Sequence, residues 1–210
     1  MCMTAYTIIE DASPYYIRFT FPGLEELISY IKSIKPEVEY GAMNYFHRIF
    51  SQTDAQRIVE KLPMGHEFEW VDKRFTIFST PPGRCCAIHK DGNAFQGAGK
   101  FDAVGLNLPL TILDDACVTS WYSDHLFDVG KNSGWPYCYS KVLFDPKGYD
   151  HLPKLKQMTA RPNEMILFNS SIYHSWENNK SKNLREILTL RFERGGSLTF
   201  EEVRKILFDI

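Results

Sequence analysis

The chain has few of the features that mark several common protein classes. Its five cysteines are odd in number and include no Cys-x-x-Cys pair, which argues against a disulfide framework. No apolar run approaches the roughly 20 residues of a membrane-spanning helix. The first residues show no basic stretch followed by an apolar one, so a secretory signal peptide is not indicated. These absences predict a cytoplasmic protein without a membrane partner.

An excess of charge of either sign is also lacking. The 24 basic and 26 acidic side chains give a formal net charge of -2, which provides no electrostatic reason to expect nucleic acid as a partner. The sequence contains no P-loop, no Gly-x-Gly-x-x-Gly turn between a strand and a helix, and no Gly-x-Ser-x-Gly nucleophile motif. A small-molecule or peptide substrate is therefore expected, and nothing indicates an oligomeric state.

What the sequence does contain is enough apolar material for one core. Hydrophobic residues make up 44% of the 210 positions, and no linker or repeat divides the chain. Apolar spacing and capping residues predict three helices. They lie at 24–34, at 53–62 with Ser51 or Thr53 as the N-cap, and from the capping box Thr199-Phe-Glu-Glu202 to about residue 208.

Strand-like runs dominate the remainder. Residues 15–21 alternate as one strand, and 68–78 form either one long strand or a pair. Seven short candidates follow at 85–89, 104–110, 117–122, 137–144, 164–168, 172–176 and 184–192. Short strands with regular turn signals predict a β-sandwich or barrel, mainly β with flanking helices. The predicted single domain divides into N-terminal support (1–82), a β core (83–195) and a C-terminal helix (196–210).

The segment Ile88-His89-Lys90-Asp91 carries two candidate metal ligands. Residues two apart on a strand point to the same face, so His89 and Asp91 can converge while Lys90 points away. With six histidines and twelve aspartates in the chain, a His-x-Asp triplet arises by chance in roughly one such sequence in three. The alternative interpretation is therefore two strand residues with local hydrogen bonds.

A third candidate ligand, His174, follows 174 − 89 = 85 residues later. That interval can hold several strands and return to the same sheet. Two imidazoles and one carboxylate form the three-ligand face of non-haem Fe(II) oxygenases, which leaves other metal positions open. The spacing thus favours a metal centre of His89, Asp91 and His174.

The strand after the third ligand carries two arginines. In period two, the odd-numbered residues of 185–191 share one face, and the opposite face is mostly leucine. An inward-facing Arg185 needs a buried anion, which a dicarboxylate co-substrate would provide. The alternative for Arg185 is a salt bridge to Glu164 or Glu177. For Arg191, further along the strand, we expect exposure or a pairing with one of the protein's own acids.

These residues together resemble a known superfamily. The motifs are His89-x-Asp91, Leu106-Asn107-Leu108-Pro109-Leu110, Cys117-x-Thr119-x-Trp121-Tyr122, His174 and Arg185. The set resembles the 2-oxoglutarate/Fe(II)-dependent oxygenases, in particular phage and environmental members and, more loosely, the aspartyl/asparaginyl β-hydroxylase branch. The resemblance covers about residues 85–192, roughly half of the chain.

The resemblance implies a fold, a cofactor set and an activity. The fold would be a double-stranded β-helix, the jelly roll shared with cupins. His89, Asp91 and His174 would bind Fe(II), and Arg185 would bind the distal carboxylate of 2-oxoglutarate. The implied reaction is hydroxylation of an unidentified substrate with O2, releasing succinate and CO2, with ascorbate as a candidate reductant.

Three further residues are candidates for the co-substrate pocket. Many superfamily members have Ser or Thr two positions after the arginine, where this chain has Ile187, so Thr189, Tyr122 or another hydroxyl would have to substitute. Asn107 is predicted to face the site, because the leucines around it form the opposite face. Its alternative is an edge or turn position beside Pro109. The alternative for Tyr122 is a purely structural place in the core.

Other interpretations remain open. A cupin-like metal-binding isomerase or a binding module would share the sandwich and the metal, but Arg185 would face solvent. A non-enzymatic protein would hold His89 and His174 far apart. A zinc site around Cys86-x-x-His89 with another cysteine has one half-site and no clear second one.

Overall fold

The structure of the chain is a computed structural model, which describes residues 6–35, 38–41, 46–65, 67–70, 75–91, 104–125, 148–178, 180–193 and 198–210. The helices are α1 (Leu24–Ser33), α2 (Gln52–Glu60) and α3 (Phe200–Phe208). The strands are β1 (Thr7–Ala12), β2 (Tyr16–Thr20), β3 (Val38–Gly41), β4 (Phe46–Ile49), β5 (Glu69–Trp70), β6 (Thr76–Thr80), β7 (Arg84–Cys85), β8 (Val104–Pro109), β9 (Val118–Trp121), β10 (Lys156–Met158), β11 (Met165–Asn169), β12 (His174–Asn178), β13 (Arg185–Leu190) and β14 (Phe192–Glu193).

The strands form a large sheet, a small sheet and a two-stranded ribbon. The large sheet has eight strands in the order β1-β2-β11-β8-β13-β6-β4-β3. The small sheet has four in the order β10-β9-β12-β7, and β14 pairs with β5. Every pairing between these named strands is antiparallel. The two strands that carry His174 and Arg185, β12 and β13, therefore lie in different sheets.

The large sheet packs one face, here called its outer face, against the helices. Alternation along the strands places Ile17 and Phe19 of β2 and Leu188 and Leu190 of β13 on this face. They join buried residues of all three helices in one hydrophobic cluster. This cluster anchors β13 and fixes which of its side chains point the other way.

The opposite, inner face of the large sheet looks towards the small sheet. Tyr16, Phe168 and Ile187 from the large sheet pack there with Trp121 and Met158 from the small one. The rings of Tyr16 and Trp121 stack with their centroids 5.2 Å apart. The inner face also carries the buried polar side chains from which the candidate site is built.

The three predicted helices are confirmed to within a few residues. Helix α1 begins after Gly23, whose φ of +90° is readily adopted only by residues without a Cβ atom. Helix α2 begins one residue before the predicted 53, because Ser51 is the N-cap and its side chain accepts a hydrogen bond from the Asp54 amide. The capping box formed by Thr199 and Glu202 starts α3 as predicted.

The strand predictions are correct in type for most of the described core and less accurate at the boundaries. Region 68–78 holds two strands, β5 and β6, and the predicted strand at 85–89 shortens to β7. Strands β1, β3, β4 and β10 were not predicted. The predicted strand at 137–144 lies outside the described residues.

The prediction of a mainly β protein with flanking helices is confirmed. The double-stranded β-helix connectivity stays a prediction, since 92–103 and 126–147 lie outside the described residues. Within the described part of the chain, no helix has the length and apolar content that a membrane crossing would require.

Candidate metal centre

The three predicted metal ligands lie together at one end of the space between the sheets. His89 and His174 exchange backbone hydrogen bonds of 2.9 Å in both directions, and their ring centroids are 4.6 Å apart. The Asp91 amide donates to the Ser170 carbonyl at 3.1 Å, which places its side chain next to both rings. Lys90 points away and binds Asp124 at 3.1 Å. The hypothesis of a non-enzymatic protein predicted widely separated histidines, and it is wrong on this point.

The hydrogen bonds of the two histidines orient one nitrogen of each ring towards Asp91. The Nδ1 atom of His89 lies 2.7 Å from the Ala87 carbonyl, and that of His174 lies 2.9 Å from the Ile172 carbonyl. A carbonyl oxygen only accepts, so Nδ1 carries a proton in both rings, and Nε2 is the nitrogen whose lone pair is available whenever the ring is neutral. These Nε2 atoms lie 3.2 Å and 3.9 Å from Asp91 Oδ1.

This spacing suits one triangular face of a six-coordinate metal ion. With metal–ligand bonds of about 2.1 Å, neighbouring donors of an octahedral ion are roughly 3 Å apart. The candidate donor atoms of the three residues all lie within 4.8 Å of one another. Among the described residues, no other cluster of His, Cys, Asp and Glu side chains meets this condition. The donor set of two imidazoles and one carboxylate fits a divalent first-row metal.

The electrostatics of the three residues are those of a site that takes a cation. Burial and the neighbouring His89 lower the pKa of His174 to about 4, so its ring is neutral and can act as a ligand. Burial acts against charge on both other residues. Even so, Cys86 and Asp91 raise the pKa of His89, and Arg191 holds the pKa of Asp91 well below its usual range. Asp91 is thus ionised. The raised pKa of His89 means that its surroundings favour a positive charge, and a bound metal ion would supply that charge in place of a proton.

Arg191 confirms the expected pairing with one of the protein's own acids, and it is not exposed. Its side chain is only 13% exposed and forms an ion pair with Asp91 Oδ2. Its Nη1 also donates to the Ser170 hydroxyl at 3.2 Å. A Cβ atom at Gly105 would lie 2.4 Å from Arg191 Nη1, so the absence of a side chain at Gly105 makes room for the guanidinium. Asp91 is held by Oδ2, which leaves Oδ1 directed at the histidines. The period-two pattern places Arg191 on the same face as Arg185, and this was the sequence signal that could have identified the role of Arg191 beside Asp91.

Arg185 is buried on the same face of β13. Its residue exposure is 5%, its guanidinium carbon lies 5.1 Å from the ring centre of Trp176, and its side chain bonds to Cys117. Burial lowers the pKa of Arg185, and the groups that counter this are Cys117 and Cys86 rather than a carboxylate. Within the described residues, no ion pair joins Arg185 to an acid.

The two acids proposed as partners for Arg185 are engaged elsewhere. Glu164 pairs with Arg18 at 3.0 Å. Glu177 accepts hydrogen bonds from the Tyr149 amide at 2.9 Å and the Tyr122 hydroxyl at 3.4 Å. The salt-bridge alternative for Arg185 is therefore wrong for both. A buried cation without a protein counter-charge is a place for an anionic ligand.

The Arg185 guanidinium contacts β12, the strand that carries His174. Trp176, which it covers, is two residues beyond His174 on β12 and on the same face. Two residues of a strand span roughly 6.6 Å, which is a distance that a short dicarboxylate can bridge.

Asn107 and Thr189 lie together on the inner face, between the candidate metal ligands and Arg185. They are register partners on β8 and β13, and the Thr189 hydroxyl donates a hydrogen bond of 2.9 Å to Asn107 Oδ1. The bond uses the amide oxygen and leaves the amide nitrogen as the donor that a ligand could meet. Their role in co-substrate binding remains a prediction.

The structure corrects the prediction that Tyr122 belongs to the co-substrate pocket. Its neighbour Trp121 points to the inner face opposite His174, so Tyr122 points to the outside of the small sheet. There it is buried beside Tyr149, and its hydroxyl contacts the Ser175 hydroxyl at 3.1 Å and Glu177. Tyr122 is a structural residue of that cluster.

The zinc alternative does not gain support. Cys86 Sγ lies 3.8 Å from His89, but at Nδ1, on the opposite edge of the ring from the one that faces Asp91. The described cysteines Cys85, Cys86 and Cys117 take part in no three-residue metal cluster of the described chain.

Comparisons with known proteins give a fold and no family. No protein-family model and no curated sequence matches the chain. HygX from Streptomyces hygroscopicus, solved with nickel, 2-oxoglutarate and hygromycin B bound, aligns with a TM-score of 0.50 and 10% identity over 87% of this chain and 82% of that one. A 2OG-Fe(II) oxygenase family protein from Burkholderia pseudomallei aligns at 0.47 with 11% identity, covering 88% and 87%. A prolyl-4-hydroxylase from Pseudomonas putida aligns at 0.44 with 13% identity, covering 87% and 94%. The HygX likeness shows a shared fold and, at this identity, nothing about chemistry.

Tyr122→Phe tests the structural role of Tyr122. The loss of its buried hydrogen bonds should lower the free energy of unfolding by about 1 kcal/mol, measured by urea denaturation. Binding of Mn(II) and of 2-oxoglutarate should stay unchanged, because the hydroxyl lies on the far side of the small sheet. Tyr15→Phe is the control, since no described residue bonds to the Tyr15 hydroxyl. Weaker 2-oxoglutarate binding at unchanged stability would contradict the structural assignment.

Arg191→Met tests the ion pair with Asp91. Without the guanidinium, a mostly buried carboxylate loses its counter-charge, and the metal-free protein should lose on the order of 3 kcal/mol of stability. Saturating Mn(II) should recover much of this loss, because the ion supplies the missing positive charge. Denaturation with and without Mn(II) measures both effects.

The control for this variant is Arg204→Met, which breaks the surface pair with Asp11 at 2.9 Å. It should lose less than about 1 kcal/mol, with no dependence on metal. An equal loss for Arg191→Met in the presence and absence of Mn(II) would show that Arg191 does not act on the metal centre.

Proposed function

We propose that the protein is an Fe(II)- and 2-oxoglutarate-dependent oxygenase that hydroxylates a small-molecule or peptide substrate. The observation that carries the proposal is Arg185, a buried cation without an acidic partner among the described residues. It lies over Trp176, two residues along β12 from His174, which is one of three converging candidate metal ligands. A cupin-like isomerase or a metal-binding module needs the metal ligands but gives no reason to bury this arginine. The chemistry of the donor set favours iron over zinc in an open site.

Each buried group has a defined task in this proposal. His89 Nε2, His174 Nε2 and Asp91 Oδ1 would hold Fe(II), and Arg191 keeps Asp91 in the orientation that presents Oδ1. Arg185 binds the distal carboxylate of 2-oxoglutarate through its planar fork of N–H donors. When bound, iron and 2-oxoglutarate supply the oxidation: one oxygen atom of O2 enters the substrate, and the other enters succinate as CO2 leaves.

The surroundings of Arg185 suit an anion in a dry site. Trp176 covers the guanidinium, and Ile187 and Trp121 belong to the apolar cluster between the sheets. Among the described residues, Arg185 and Arg191 contribute two positive charges here and Asp91 contributes one negative charge, so the sum over these three groups is positive even without a metal. This excess charge attracts a dianion, and low local polarity strengthens the attraction.

The HygX fold, crystallised with 2-oxoglutarate, is compatible with a double-stranded β-helix here. The sequence resemblance supports three further parts of the proposal: membership of the aspartyl/asparaginyl β-hydroxylase branch, a cytoplasmic location and ascorbate as the reductant. The proposed substrate class is a small molecule or a peptide.

Succinate release is the direct test. The protein is incubated with Fe(II), ascorbate and 2-oxoglutarate in air, and succinate is measured without added substrate, since uncoupled turnover can proceed alone. We expect wild type to release succinate and Asp91→Ala to release none above the iron-only background. Equal amounts from both proteins would remove the support for the iron assignment.

Arg185→Met separates the co-substrate site from the metal site. The change removes the charge and keeps most of the side-chain length, so 2-oxoglutarate affinity should fall by at least about 30-fold, as expected for a buried charge pair that loses one partner. Mn(II) affinity should stay within about threefold of wild type. Arg57→Met, on the exposed side of α2, is the control and should change neither. Loss of Mn(II) binding in Arg185→Met would instead assign Arg185 a structural role.

A further inference from the structure

Thr80 lies directly opposite Arg185 in the large sheet. The two residues are register partners on the antiparallel strands β6 and β13, so their side chains share the inner face. Cβ atoms of such a pair are about 5 Å apart. The Thr80 hydroxyl is therefore a neighbour of whatever ligand Arg185 binds.

The Thr80 hydroxyl is also buried and unpartnered. The residue is 0% exposed, and Oγ1 has no hydrogen-bond partner among the described residues. Buried hydroxyls almost always have a partner, because leaving one unpaired is unfavourable. The Thr80 backbone, in contrast, is fixed: its carbonyl accepts a hydrogen bond of 3.0 Å from Asn178 Nδ2. A rigidly placed donor without an acceptor indicates a missing ligand.

Thr80 also offers a substitute for the Ser or Thr that many superfamily members have two positions after the arginine. The position two residues after Arg185 is Ile187, which packs into the apolar cluster with Trp121 and cannot donate. On a strand, a residue two positions along is roughly 6.6 Å away, whereas the cross-strand partner is nearer. A hydroxyl at Thr80 thus reaches the same ligand from the neighbouring strand.

We propose that the Thr80 hydroxyl donates a hydrogen bond to the carboxylate that Arg185 holds, so that Thr80 and Arg185 together form the pocket for the distal carboxylate of 2-oxoglutarate. Trp176 and Cys117 line the same pocket through their contacts with Arg185. The inference rests on the proposed function and adds a residue to it.

The test compares Thr80→Val, which keeps the shape and removes the hydroxyl, with Thr80→Ser, which keeps the hydroxyl. Affinity for 2-oxoglutarate is measured by calorimetry on the Mn(II)-loaded protein. Since a hydrogen bond to a charged group is lost, Thr80→Val should bind about tenfold more weakly or worse, and Thr80→Ser within about threefold of wild type. Thr76→Val, on the same face of β6 and four residues away, should bind like wild type.

A second readout excludes a merely structural effect. Removing an unpaired buried hydroxyl should leave the melting temperature of the ligand-free Thr80→Val protein unchanged or higher. The rise in melting temperature on adding 2-oxoglutarate should be smaller for this variant than for wild type. Weaker binding together with a lowered melting temperature in the ligand-free state would overturn the proposal, because the hydroxyl would then serve the fold.

The outcomes separate this inference from the function itself. Wild type that binds 2-oxoglutarate while Thr80→Val binds equally well overturns the role of Thr80 and leaves the oxygenase proposal standing. Wild type that fails to bind 2-oxoglutarate in the presence of Mn(II) overturns both.

Discussion

A charged side chain buried between two packed sheets requires a counter-charge, and this requirement governs the inner face of β13. Arg191 meets it within the protein, through Asp91. Arg185, six residues earlier on the same face, has no acidic partner in the described part of the chain. The first arrangement is complete without a ligand and holds the Asp91 carboxylate, a candidate metal ligand, in place. The second has no such partner among the described residues, and the proposed function supplies one as an anionic co-substrate from solution.

The alternation of β13 couples this chemistry to the stability of the fold. Leu188 and Leu190 sit in the cluster that the helices cover, so they fix the register of the strand. A slip of one residue would place both arginines in that apolar cluster and expose the leucines, which is strongly unfavourable. Glu186, the one acid on the outer side, is accommodated there by an ion pair with Arg48. The core therefore determines where the two guanidinium groups point.

Local periodicity was sufficient to predict the helices, the shared side of His89 and Asp91, and the inward position of Arg185. These depend on spacing within one strand or helix and on residue types that few other arrangements use. The roles of Arg191 and Thr80 depend on which residues lie opposite each other across strands, and that register is set by packing over long sequence distances. Tyr122 was misassigned for the same reason: either Trp121 or Tyr122 could face the site, and the pairing of Trp121 with His174 decides it. Strand β10 has three residues and no apolar alternation, so no local signal predicted it.

The central claim is that one ligand connects the metal centre to Arg185. Crystals grown with Mn(II) and 2-oxoglutarate, measured for anomalous scattering of manganese, would test it most directly. The account predicts one strong peak about 2 Å from the Nε2 atoms of His89 and His174 and from Asp91 Oδ1. It also predicts 2-oxoglutarate density from that peak to the Arg185 guanidinium. A manganese peak away from these three residues, or 2-oxoglutarate bound without contact to Arg185, would contradict it.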